Sequence, residues 1–122
     1  MDKSLENLEI YQIALLLSKK SREIFSSFDY MTKKVIWEQY IRSIDSVWAN
    51  IAEWYWRFHY LDSVKFYYNA RWSLFESKHW IKLMYDRKLV SENIYKSIRE
   101  DLNTLWKKLN NFISSIKEKL KT

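Results

Sequence analysis

Arg42-Ser43-Ile44-Asp45-Ser46-Val47-Trp48-Ala49-Asn50-Ile51-Ala52-Glu53 sets the period for the whole chain. Apolar positions run through this stretch and beyond it as Ile36, Tyr40, Ile44, Val47, Ile51, Tyr55 and Phe58, spaced 4, 4, 3, 4, 4 and 3. That spacing puts them on one face of a helix, and such a face has to be covered by other helices. The helix is expected to run from about Thr32 to Phe58.

Working outward, Leu8, Tyr11, Ala14, Leu15, Leu17 and Ile24 outline a first helix from Leu5 to about Phe25. Glu6 and Glu9 come early in it and Lys19, Lys20 and Arg22 late, an order that suits the helix dipole. Ser26-Ser27-Phe28-Asp29-Tyr30 interrupts the pattern. A weaker break near His59 and Tyr60 precedes a third helix reaching about Tyr85, with Tyr67, Ala70, Leu74, Ile81 and Met84 inward. Asp86-Arg87-Lys88-Leu89-Val90 is the last connection. Ser91 is then placed to N-cap a fourth helix carrying Ile94, Ile98, Leu105, Leu109, Phe112, Ile116 and Leu120. Four helices joined by short loops predict an all-α, antiparallel up-down four-helix bundle spanning residues 1–122 as one domain. No hairpin signal or alternating stretch suggests a strand.

Composition narrows the function classes. The longest uninterrupted apolar run, Ile13 to Leu17, is five residues, against the roughly 20 needed to cross a bilayer. With no cysteine, disulfides and thiolate chemistry drop out, and a soluble, cytoplasmic protein is expected. The aromatic residues Tyr55, Phe58, Tyr60, Phe66, Tyr67 and Tyr68 exceed what one small interior can hold, which predicts self-association.

The composition carries an anomaly, in that 122 residues contain no glycine and seven tryptophans. At ordinary usage, a chain this long lacks glycine only about once in 10⁴ draws.

Asn50-Ile51-Ala52-Glu53 followed by Trp54, then Ala70-Arg71-Trp72-Ser73-Leu74 with Glu76, and the opening Leu5-Glu6-Asn7-Leu8 resemble the four helix bundle proteins also called 23S rRNA intervening-sequence proteins. The resemblance covers nearly the whole chain and implies a homopentameric ring. It also implies similarity to the accessory protein of diversity-generating retroelements, a basic protein that partners nucleic acid and a reverse transcriptase. Trp54 and Trp72 stand where that family has glycine, and Trp37, Trp48, Trp56 and Trp106 resemble further glycine positions. The expectation is that the source organism decodes UGA as glycine at these six sites, with Trp80 a true tryptophan.

The chemistry-bearing residues fall into few groups. Arg42, Glu53, Arg71 and Glu76 lie in or beside the matching blocks and are expected to form a structural ion network across the second and third helices. Glu76-Ser77-Lys78-His79 fits the Glu-x-x-His element of di-iron bundles, but that chemistry needs the element twice. His59, the other histidine, has Trp56 three residues before it, so no metal site is expected. Neither a cofactor nor a catalytic residue is indicated.

Charge is uneven. Residues 61 to 90 hold six basic and three acidic groups and residues 91 to 122 seven and four, whereas the first half is balanced. Lys96, Arg99, Asn103, Lys107, Asn110, Ser114, Lys117 and Lys121 recur at helical spacing opposite Leu105. With Lys65, Lys78 and Lys82 on the third helix, they predict a face for RNA or DNA. A homo-oligomeric scaffold that binds a protein partner is the alternative.

Overall fold

The computed structural model describes residues 8–26, 28–56 and 64–121, without the side chains of 32, 33, 56, 64, 116, 117 and 119–121. Among these residues the chain is all-helical, with four helices and no strand. Helix α1 is Glu9–Phe25. Helix α2 comprises a turn of α-helix at Tyr30–Thr32, a π-helical segment at Lys33–Trp37 and a long α-helical part at Glu38–Trp56. Helices α3 and α4 are Val64–Asp86 and Glu92–Lys121. The expected beginning of the first helix at Leu5 and the break at His59 and Tyr60 lie outside the described residues.

The period of α2 is realised in its packing. Ile36, Tyr40, Ile44, Val47 and Ile51 are buried, and α2 makes its most extensive contact with α3. From α3 come Tyr67, Ala70, Leu74, Ile81 and Met84, and from α4 Ile98, Leu102, Leu105, Leu109 and Ile113. Truncating one of the larger of these side chains to alanine costs about 2 to 5 kcal/mol.

Helix α1 departs from the expected set. Leu8, Tyr11 and Ile24 only flank the core and Leu15 is half-buried; Ala14 and Leu17 are buried as expected, and they are joined by Ile10, Phe25 and the hydroxyls Ser18 and Ser21. The reason is the partner surface. The Ser21 and Tyr40 hydroxyls meet at 2.7 Å, and Ser18 Oγ donates to Asp45 Oδ1 at 2.7 Å. The α2–α3 contact is likewise lined by small hydroxyl residues. Ser73 Oγ donates to Ser46 Oγ at 3.0 Å, and the buried Ser77 Oγ lies 2.9 Å from both Ser43 Oγ and the Ser73 carbonyl.

The connection between α3 and α4 is a Schellman motif. The Leu89 N–H reaches the Met84 carbonyl and the Lys88 N–H the Tyr85 carbonyl, each at 2.9 Å. Lys88 sits in the left-handed region at φ 62°, a conformation that costs a non-glycine residue about 1 to 2 kcal/mol. Ser91 then caps α4, accepting the Ile94 N–H at 3.2 Å, as its place before the apolar run suggested.

Candidate nucleic-acid interface

The exposed side of α4 carries the basic residues singled out in the sequence. Lys96, Arg99, Asn103 and Lys107 are all exposed. They line, with Glu100 and Thr104, one shallow open depression along the helix. Three local arrangements modify this face. Lys96 pairs with Glu92 one turn earlier at 3.0 Å. The Arg99 guanidinium lies 5.1 Å from the centre of the Tyr95 ring, and Tyr95 stacks on Tyr85 of α3 with centroids 4.5 Å apart. Asn110 is half-buried and accepts a hydrogen bond from Arg71 Nη1 at 3.0 Å, so it faces α3 rather than the outer surface. The side chains of Lys117 and Lys121 lie outside the described residues.

On α3, Lys65 is exposed with its ammonium over the Phe66 ring at 5.2 Å. Lys82 is exposed and bonded to Asp86, a contact that raises its pKa. Lys78 is half-buried, its ammonium 4.7 Å from the centre of the Trp106 ring, and desolvation lowers its pKa. Cations thus rest on aromatic rings at Arg71–Tyr68 within α3, at Arg99–Tyr95 within α4 and, across the seam between the two helices, at Lys78–Trp106.

Of the four charges expected to form an ion network, Arg71 turns to Asn110 and the Tyr68 ring, 4.9 Å away. Arg42 and Glu53 are exposed on α2 and Glu76 half-buried on α3. A cluster that spacing did not reveal is centred on Asp45, which receives Ser18, the Trp48 indole N–H at 3.2 Å and Arg22. The available signal was Asp45 lying one residue beyond the apolar Ile44, within reach of a neighbouring helix. Among the described residues, no group of three or more His, Asp or Glu side chains is placed to hold a metal ion. In the same set no helix is long and apolar enough to cross a membrane.

The aromatic surplus is divided differently from expectation. Tyr67 is wholly buried in the core, its hydroxyl meeting no hydrogen-bond partner among the described residues, and burial pushes its pKa well above the ordinary tyrosine range. Tyr55, Phe66 and Tyr68 are half-buried, and Phe58 and Tyr60 lie outside the described residues. Among the described residues, the exposed large apolar side chains are Leu16, Tyr30, Met31, Val35, Trp72 and Phe75.

The family model of the 23S rRNA-intervening sequence protein matches residues 6–111. The chain belongs to this family. A crystal structure of a protein of unknown function from the S23 ribosomal protein family of Bacteroides thetaiotaomicron VPI-5482 is similar in fold. Its TM-score is 0.77 at 21% identity, over 91% of this chain and 99% of that one. No curated protein matches this chain.

Proposed function

We propose that this 23S rRNA-intervening sequence family protein is a non-enzymatic, oligomeric accessory protein that binds structured RNA or other nucleic acid through the basic faces of α3 and α4. The observation that carries the reading is the exposed series Lys96, Arg99 and Lys107 along one side of α4. A series of cations along a rod meets a phosphate backbone without reading its bases, so sequence preference is slight and salt dependence steep. The bundle is up-down and antiparallel. Supporting that topology, Arg71, Lys78 and Tyr85 of α3 meet Asn110, Trp106 and Tyr95 of α4 in reverse order. A homopentameric ring would repeat the basic face five times and concentrate its field.

Polarisation titration of labelled structured RNA and duplex DNA at two salt concentrations tests the reading. A variant with Lys96, Arg99, Lys107 and Lys117 changed to Glu, checked for retained oligomerisation, is the comparison. Wild type is expected to bind with a log–log salt slope of about 0.7 to 0.9 per phosphate neutralised, and the variant to lose that binding. Equal affinity in the two proteins removes the α4 face from the mechanism.

The second reading is a homo-oligomeric scaffold binding another protein and no nucleic acid. It draws on Phe75, a large apolar side chain exposed on α3. Absence of binding by wild type at low salt favours it. A stable monomer at micromolar concentration in light scattering removes the oligomer from both readings.

A further inference from the structure

The α3–α4 turn holds a second basic feature that the stripe along α4 does not include. Between Lys82 and Arg99 the chain has five basic and two acidic residues. Both acids are satisfied within their own helices, Asp86 by Lys82 at 2.8 Å and Glu92 by Lys96 at 3.0 Å. Arg87 and Lys88, adjacent and exposed at the tip, pair with no carboxylate among the described residues. Arg99, within about two helical turns of the tip, is steadied by the Tyr95 ring beneath it, which itself stacks on Tyr85. Lys88 occupies the left-handed position of the Schellman motif at φ 62°, where glycine is the residue the backbone favours. A lysine held there against that preference is an outlier of the kind that marks a used side chain.

We propose that the α3–α4 turn is the end of the bundle that seats a nucleic-acid backbone, Arg87 and Lys88 contacting phosphates at the tip and Arg99 continuing the contact down α4. This rests on the nucleic-acid reading above and places the centre of contact at the tip rather than midway along the stripe. The Schellman hydrogen bonds fix the direction in which Lys88 leaves the backbone.

The test uses the full chain and a fluorescein-labelled RNA hairpin, titrated at about 50 and 200 mM potassium chloride. Three tip variants, Arg87→Gln with Lys88→Asn, Lys88→Gly and Lys88→Arg, are set beside Lys107→Gln. Thermal melts and light scattering accompany each titration. The double variant is expected to keep its fold and oligomeric state and to show a salt slope shallower by about 1.4 to 1.8, the amount for two phosphate contacts. Lys88→Gly is expected to melt higher than wild type and yet bind more weakly, a combination that a purely structural lysine would not produce. Lys88→Arg is expected to bind like wild type. Wild-type binding and salt slope in the double variant, with Lys107→Gln impaired, overturn the tip as the contact while leaving the α4 face in place. Failure of the wild type to bind the hairpin at the lower salt overturns both.

Discussion

Asp45 accepts from two side chains of α1 and α2 while pairing with a third, so its carboxylate ties the α1–α2 crossing. Removing it leaves Ser18 and Arg22 without their shared acceptor. Asp45→Ala is expected to lower stability by about 1 to 3 kcal/mol in urea denaturation. The exposed Lys96–Glu92 pair is the contrast, and Glu92→Ala is expected to change stability by no more than about 0.5 kcal/mol. Equal effects from the two substitutions would take Asp45 out of this role. The tryptophans belong to the same scale. Trp37 holds its indole N–H buried with no hydrogen-bond partner among the described residues, and Trp72 leaves its ring 63% exposed on α3. Glycine at these positions would remove one cost at each, a buried orphan donor in the first case and an exposed indole in the second. The intact mass of the protein purified from its source organism checks the recoding expectation. Six tryptophan-to-glycine differences are expected, and a mass matching seven tryptophans rejects it.

Helix α4 was the most legible element, because a long amphipathic helix announces its inner face through period alone. Ile98, Leu105 and Leu109 are fully buried as expected and Ser91 caps the helix, while Ile94 and Phe112 are half-buried and Leu102 and Ile113, not singled out by the spacing, complete the inner face. Helix α1 was legible as a helix but not in its inner surface. Hydrophobicity cannot predict that Ser18 and Ser21 turn inward, since what stabilises them there is a carboxylate and a phenol on another helix. The basic face was read from charge spacing, and Arg71–Tyr68 and Arg99–Tyr95, three and four residues apart on one helix, were open to the same reading, whereas Lys78–Trp106 needs α3 and α4 placed together. The tip charges were visible as consecutive basic residues in a connection, but their freedom from carboxylates depends on where Asp86 and Glu92 point. The serine-lined α2–α3 contact carries its own expectation. Ser77 is fully buried between the two helices, so Ser77→Leu inserts volume where none is free and should cost about 1 to 3 kcal/mol. Ser77→Ala should cost less than Ser77→Leu in the same denaturation series. A Leu variant as stable as the Ala variant would show that the helices separate freely.

At the scale of the molecule, the core contains two phenols that resist ionisation. Burial raises the pKa of Tyr40 and Tyr67 far above the ordinary 10.0. In the folded state they keep their protons at pH values where the unfolded chain has lost them. The folded state then binds more protons than the unfolded one, so stability is fully present below the ordinary value and falls as pH rises beyond it. Unfolding free energy is expected to decline above about pH 10, with tyrosinate absorbance for these two residues appearing only together with loss of helical circular dichroism. Ionisation of all nine tyrosines before any loss of helix would contradict the burial of both.

The π-helical segment Lys33–Trp37 amounts to one surplus residue stored inside α2. An α-helix advances about 100° per residue, so this surplus shifts the phase of Tyr30–Thr32 by about a quarter turn relative to Glu38–Trp56. Tyr30 and Met31 face solvent on one side of that shift, and Tyr40, Ile44 and Val47 are buried on the other. Chain length at this point thus acts as a rotary setting. Deleting a single residue between Lys33 and Val35 would turn a different set of side chains outward at the start of α2 while leaving the core beyond Glu38 as it is.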